Sequence, residues 1–124
     1  MGAEFEDLAS RFLERKGYRI LDRNVRLVRK EVDIVAADGD TIVFIEVKGR
    51  RSSAFGTGSE AVGPRKQAGL VKFAATYLER RRLWSRPCRF DVIAVRPDGG
   101  RSGGGGEGAG GGPVFEHIEN AFGA

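Results

Sequence analysis

One cysteine and one histidine among 124 residues exclude several kinds of chemistry at the outset. Cys88 alone cannot form an internal disulfide or a thiolate zinc site, and His117 alone rules out a histidine-rich metal centre. A Ser/His or Cys/His catalytic pair would have to recruit His117, which stands in a short terminal segment with nothing near it in sequence to orient it. The chain lacks any run of about eighteen apolar residues and opens with no signal-peptide pattern, so the expectation is a cytoplasmic protein that does not engage a membrane. Its length has room for one core and not for two. Neither sign of charge dominates: the formal net charge is +4, with sixteen arginines and five lysines against seventeen acids. Such an excess permits nucleic-acid binding without establishing it.

What the chain does contain is a pair of carboxylates at informative spacing. Glu31 to Ala36 alternates, placing Val32, Ile34 and Ala36 on one face and Glu31, Asp33 and Val35 on the other. Thr41 to Lys48 is rich in β-branched and aromatic residues and reads as a mostly buried strand. Between them, Ala37-Asp38-Gly39-Asp40 carries the Asp-Gly pair favoured in tight hairpins. Residues at i and i+2 share a strand face, so Glu46 and Lys48 point the same way. A two- or four-residue loop pairs odd positions of the first strand with even positions of the second, which puts Asp33 beside Glu46 at roughly 5–8 Å. A three-residue loop would reverse that parity. An acid-x-Lys ending is also an ordinary way to finish a strand. However, Asp33 and Glu46 each interrupt an apolar run, where a carboxylate is costly to bury without a partner. Two carboxylates suit Mg²⁺ or Mn²⁺, and an ammonium beside them can offset charge that develops on a phosphate.

The remaining pattern gives the architecture. Residues 3–16 form an amphipathic helix with Phe5, Leu8, Ala9, Phe12 and Leu13 on one stripe, Glu6 at its border and Gly17 as the stop. Tyr18 to Arg26 is a charged, weakly patterned strand. After the hairpin, residues 51–63 are a loop rich in glycine and serine, and Arg50 and Arg51 stand directly beyond the candidate site. Pro64 opens a second helix running to about Arg82, striped by Leu70, Phe73, Ala74, Tyr77 and Leu78. Lys66 and Gln67 lie ahead of that stripe on the same side and can project toward the carboxylates. Arg80-Arg81-Arg82 reads as a solvated helix end, where cations complement the dipole. Arg89 to Val95 is a fourth strand. Ten of nineteen glycines fall between 99 and 112, so that segment is expected to be a flexible surface loop without nucleotide-binding character. The division is then a core over 1–98, the loop over 99–112, and a segment over 113–124 that docks back as an edge strand and turn. The order helix, three strands, helix, strand defines an α/β domain with a mixed sheet flanked by helices.

That order, with Asp33 and Glu46-x-Lys48 on the second and third strands, resembles the PD-(D/E)XK nuclease superfamily and its restriction-endonuclease-like αβββαβ core. More closely, the chain resembles the YraN-like family of small bacterial proteins, related to archaeal Holliday-junction resolvases. The matching pieces are Glu6, Arg23-Asn24-Val25-Arg26, Glu31-Val32-Asp33-Ile34-Val35, Val43 to Arg50, Lys66-Gln67, Cys88 to Ile93, and Ile118 to Phe122. The resemblance implies that Asp33, Glu46 and the main-chain carbonyl of Val47 bind Mg²⁺ or Mn²⁺. Lys48 is then the catalytic lysine, and Glu6 joins from the first helix. Arg50, Arg51, Lys66 and Gln67 would contact substrate. One departure is Lys30, which stands where the pattern has glycine and puts the start of the second strand in question. The implied activity is hydrolysis of phosphodiester bonds by a DNA endonuclease, with branched or damaged DNA among the substrates to expect and a homodimer as the suggested assembly. The alternatives are a nucleic-acid-binding accessory protein that keeps the fold with little or no hydrolysis, and a scaffold recruited by another protein.

Overall fold

The computed structural model describes residues 2–49, 64–96 and 112–121. Their order is α1 (Gly2–Arg15), β1 (Arg19–Leu27), β2 (Lys30–Asp38), β3 (Thr41–Gly49), α2 (Pro64–Arg80), β4 (Cys88–Arg96) and β5 (Val114–Ile118). The strands form one mixed sheet in the order β1-β2-β3-β4-β5, antiparallel except for the parallel pair β3–β4. A parallel pair needs a long crossover, and the connection between these two strands carries α2. This is a mixed α/β fold consistent with a restriction-endonuclease-like core. The glycine-rich stretch expected to be a flexible loop lies outside the described residues, as does the 51–63 loop.

Two apolar layers sandwich the sheet. On the α1 side, Ala9, Leu13 and Tyr18 pack with Ile34, Ala36, Val43, Ile45, Ile93 and Val95. On the α2 side, Leu70, Phe73, Ala74 and Tyr77 pack with Val35, Ile42, Phe44, Phe90 and Val92. The central strands β3 and β4 are covered on both faces, which explains their nearly unbroken apolar sequences. Phe44 anchors the α2 side, with the rings of Phe73, Tyr77 and Phe90 at 5.8, 5.6 and 5.5 Å. Burying such a side chain stabilises the fold by about 1.5–3 kcal/mol. The charged, weakly patterned β1 is an edge strand. Among the described residues no helix is long and apolar enough to cross a membrane.

One strand departs from simple alternation. Val32 packs with Val35 on the α2 side, whereas Ile34 and Ala36 lie on the α1 side, so Val32 does not share a face with them as its spacing predicts. The β2–β3 ladder runs from Asp38–Thr41 to Ile34–Ile45, and beyond it β2 pairs only with β1. Released from one neighbour, the strand turns over at Asp33.

The β1–β2 turn answers the question raised by Lys30. Lys30 begins β2, paired with Leu27, and the left-handed positions are Val28 (φ 45°) and Arg29 (φ 64°). Two consecutive left-handed residues are the geometry that favours Asn-Gly, and a β-branched residue there is strained. Replacing Val28 with Asn and Arg29 with Gly together is expected to raise unfolding stability by about 1 kcal/mol in urea titrations. A loss of stability would show that these side chains make contacts outweighing the strain.

Candidate metal centre

The hairpin loop contains two residues, Gly39 (φ 61°) and Asp40, between the paired Asp38 and Thr41. This sets the parity that the spacing argument requires: extending the Ile34–Ile45 register by one step brings Asp33 across from Glu46. The two strands part here, and the backbone N–H of Val47 donates to Asp33 Oδ2 at 2.8 Å. Glu46 Oε2 receives two ammonium groups, Lys66 Nζ at 2.7 Å and Lys48 Nζ at 3.3 Å. Each carboxylate thus commits one oxygen to the protein, and among the described residues the other, Asp33 Oδ1 and Glu46 Oε1, has no hydrogen bond.

Glu6 approaches from α1 because of Gly49. A Cβ at Gly49 would lie 2.5–2.7 Å from three ring atoms of Phe5, so the absence of a side chain lets α1 come down on the end of β3. Glu6 is then only 7% exposed. Its Oε1 is buried without a hydrogen bond, 3.7 Å from Arg23 Nη2, which itself donates to Asp7 at 2.7 Å. An ordinary flanking glutamate would sit in water; this one is held at the core edge.

The electrostatics follow from this crowding. Burial, opposed by the Val47 N–H and reinforced by the carboxylates of Glu6, Glu46 and Glu31, pushes the Asp33 carboxyl up to about 6. Burial alone would also raise Glu46, but the hydrogen bond and charge of Lys66, with Lys48 behind it, hold it below the usual carboxylate range. Among the described residues no three His, Cys, Asp or Glu side chains are grouped as a ready-made metal cage. A cation here would therefore rest on Asp33, Glu46 and a main-chain oxygen, with Glu6 behind them. That donor set consists entirely of hard oxygens, and the negative charge gathered around Asp33, with a buried Glu6 oxygen that lacks a hydrogen bond, fits a divalent ion.

Of the expected substrate contacts, Lys66 reaches the site, Gln67 is the half-buried residue beside it, and Arg50 and Arg51 lie outside the described residues. An open groove lined by Lys30, Pro64, Arg65, Lys66 and Gly69 continues from Glu46 along the start of α2. Arg65, which opens the second helix next to Lys66 and was expected from sequence to reach phosphates, lines this groove, whereas Arg23 and Lys30 were not recognisable as neighbours of the site from sequence. For Arg23 the only hint is its place in the Arg23-Asn24-Val25-Arg26 motif.

A second polar cluster corrects the reading of His117 as a residue without an orienting neighbour. Its Nδ1 lies 2.8 Å from Lys16 Nζ and its Nε2 2.8 Å from Asp91 Oδ2. Lysine can only donate, so Nδ1 accepts and Nε2–H donates to Asp91. Both ring nitrogens are thereby engaged within the protein, and the His117 side chain is only 4% exposed. Asp91, with its side chain fully buried, also receives Arg89 Nε and Nη2 and the backbone N–H of Asn120. Burial alone would raise Asp91, but these donors, His117 foremost, hold it below the usual range.

Residues 5–95 match the model of a family described as "Uncharacterised protein family UPF0102". A UPF0102 protein of Syntrophus aciditrophicus is 51% identical over 98 residues, covering 77% of each chain. One from Geobacter sulfurreducens is 45% identical over 125 residues, covering 98% of this chain and 88% of its own. One from Moorella thermoacetica is 53% identical over 90 residues, covering 73% of this chain and 75% of its own. The matched region includes Glu6, Asp33, Glu46, Lys48 and Lys66. This chain belongs to the UPF0102 family, the YraN-like proteins.

Proposed function

We propose that this protein is a Mg²⁺- or Mn²⁺-dependent endonuclease of the PD-(D/E)XK type that hydrolyses phosphodiester bonds in DNA, with branched or damaged DNA as its preferred substrate. The observation that carries this reading is the pair of facing carboxylates, each with one oxygen fixed by the protein and the other without a hydrogen bond among the described residues, and with Lys48 alongside.

Asp33 Oδ1, Glu46 Oε1 and the Val47 carbonyl would hold the ion, and the buried Glu6 carboxylate would add charge behind them. When bound, the ion polarises a phosphate oxygen and acidifies a water molecule. Lys66 fixes the orientation of Glu46 and keeps it ionised at neutral pH. Lys48, held at Glu46 by its ammonium, would orient the attacking water and balance charge on the phosphate as its phosphorus becomes pentacoordinate. Lys30 and Arg65, along the groove, would take phosphates next to the scissile one.

A nucleic-acid-binding protein without hydrolysis is the second reading, and the positive groove is what favours it. It leaves two facing carboxylates without a purpose, because carboxylates repel phosphate unless a cation lies between them. The test is cleavage of labelled duplex, single strand, flap and four-way junction in Mg²⁺, Mn²⁺ or EDTA, with Lys48→Ala protein purified in parallel. Metal-dependent cutting by the parent and its loss in Lys48→Ala are expected. Identical behaviour of the two proteins on every substrate would exclude hydrolysis at this centre.

A further inference from the structure

The chain has one tryptophan, and it lies in the turn that follows α2 rather than in the core. Trp84 is 64% exposed, and Arg80, Arg82 and Arg86 around it are exposed as well. None of the three arginines forms an ion pair among the described residues. Arg81, by contrast, is bound to Asp22 and lies over the Tyr77 ring, tying the helix end to β1. The basic run is thus divided, with one arginine used internally and three presented outward beside an indole.

The backbone under this patch is fixed. Arg82 N–H donates to the Glu79 carbonyl and Leu83 N–H to the Leu78 carbonyl, the paired bonds of a Schellman helix stop. Leu83 packs against the α2-side core, Arg86 N–H donates back to the Leu83 carbonyl, and the Pro87 carbonyl accepts from Ile42. α1 ends with the same motif, in which Gly17 takes the left-handed position (φ 97°). In α2 that position is Arg82 (φ 59°), although glycine would occupy it at lower cost. Strained residues that persist in an otherwise regular motif point to a requirement on the side chain.

We propose that Trp84 with Arg80, Arg82 and Arg86 forms a contact surface for unpaired nucleotides, the indole stacking on a base and the guanidinium groups taking the adjoining phosphates. The proposal shares its nucleic-acid partner with the reading above but not its hydrolysis. The seventeen residues of α2 set the patch roughly 24 Å from the Lys66 end of the helix and the candidate centre. That is about seven base steps, so one strand can span both sites while a second strand is displaced. A lipid surface fits less well, because Leu83 turns inward and Trp84 is the one exposed large apolar residue of residues 81–87. A paired duplex offers the indole no open base face.

Because Trp84 is the sole tryptophan, its emission reports on this surface directly. In EDTA, which prevents cutting, the parent is titrated with oligothymidine, with a blunt duplex of equal length and with anionic phospholipid vesicles. Anisotropy of labelled strands gives total binding. Oligothymidine is expected to quench Trp84 with the same midpoint as the anisotropy change. Trp84→Ala should weaken single-strand binding by about tenfold, and Trp84→Phe, which keeps a stacking face, by far less. Reversing Arg80 and Arg86 to Glu should weaken binding and flatten its salt dependence. Binding by anisotropy with silent Trp84 emission overturns the proposal while leaving the nuclease reading intact. Equal quenching by duplex, or quenching by vesicles alone, also overturns it. Quenching by a protein that cuts nothing in Mn²⁺ supports this surface and removes hydrolysis instead.

Discussion

Asp33→Asn is expected to give a protein that is more stable than the parent at pH 7.5 without metal and inactive with it. The Asp33 carboxyl is pushed from 3.8 to about 6 by burial and by the carboxylates of Glu6, Glu46 and Glu31, so its ionised form opposes folding. At full weight the shift corresponds to roughly 3 kcal/mol. Solvent screening at this partly exposed side chain reduces the expected gain to about 1–2 kcal/mol. Asparagine keeps an oxygen for the Val47 N–H and removes only the charge. The sign follows from linkage. A carboxyl with a raised folded-state pKa binds its proton more tightly when folded, so the parent loses stability as pH rises from about 4 to about 6. The advantage of the variant should therefore be absent near pH 4 and complete above pH 6. A divalent ion held as proposed would reverse the ranking, because it would stabilise the ionised form that the buried, acid-rich surroundings oppose. Mn²⁺ should raise the midpoint of the parent and leave the variant unmoved. Hydrolysis should fall by about a thousandfold, as expected when the charge anchoring a metal is lost. Urea titrations at three pH values with and without Mn²⁺ decide the matter. If Asp33→Asn is less stable at pH 7.5 in EDTA, Asp33 is not under the electrostatic stress described. If Mn²⁺ stabilises both proteins equally, the ion binds elsewhere.

The parts of this site that lie close in sequence were legible in it, and those assembled over distance were not. Ala37-Asp38-Gly39-Asp40 specifies a tight turn, and period-two patterning then sets parity, so the approach of Asp33 to Glu46 follows from local rules. The pairing of Glu46 with Lys48 is equally local. The two helices were visible in their stripes, and Gly17 stops α1 where its sequence suggests. The depth of Glu6 was not readable, since it depends on the Phe5 ring settling over Gly49 more than forty positions away. Nor was the turnover of β2 at Asp33, because alternation describes a strand held on both sides and this one loses a neighbour. The role of Asp91 within the fourth strand was likewise not readable from its neighbours in sequence. Its partners on β5 and in the turn after it are 26 and 29 residues away, and the lysine beyond His117 is 101 residues from it.

That cluster carries the other large effect. Asp91→Ala is expected to destabilise the fold by about 3–5 kcal/mol, as removal of one partner from a buried charged network does. With total stabilities of about 5–15 kcal/mol for a domain, such a variant stands near the edge of folding. The loss comes less from the missing bonds than from the groups left behind. The Arg89 guanidinium keeps Asp38 at 3.1 Å but loses its buried counter-charge, while the His117 Nε2–H and the Asn120 N–H lose their acceptor. Asp91→Asn preserves shape and is expected to lose less, although its amide must set a donor against one of those donors. The pH dependence is opposite to that at Asp33. The Asp91 carboxyl is depressed in the folded state, so its contribution is present above the ordinary carboxylate pKa and is lost as pH falls through the depressed value. Parent and Asp91→Ala should therefore converge in acid and differ most at neutral pH. Location also matters, because His117 and Asn120 belong to the C-terminal segment that pairs with β4. Hydrogen exchange should show the amides of β5 losing protection before those of β3, since β5 is the edge strand released while β3 keeps neighbours on both sides. A loss below about 1 kcal/mol, or uniform loss of protection across the sheet, would mean that β5 is held by strand pairing and by Phe12–Phe115 stacking rather than by Asp91.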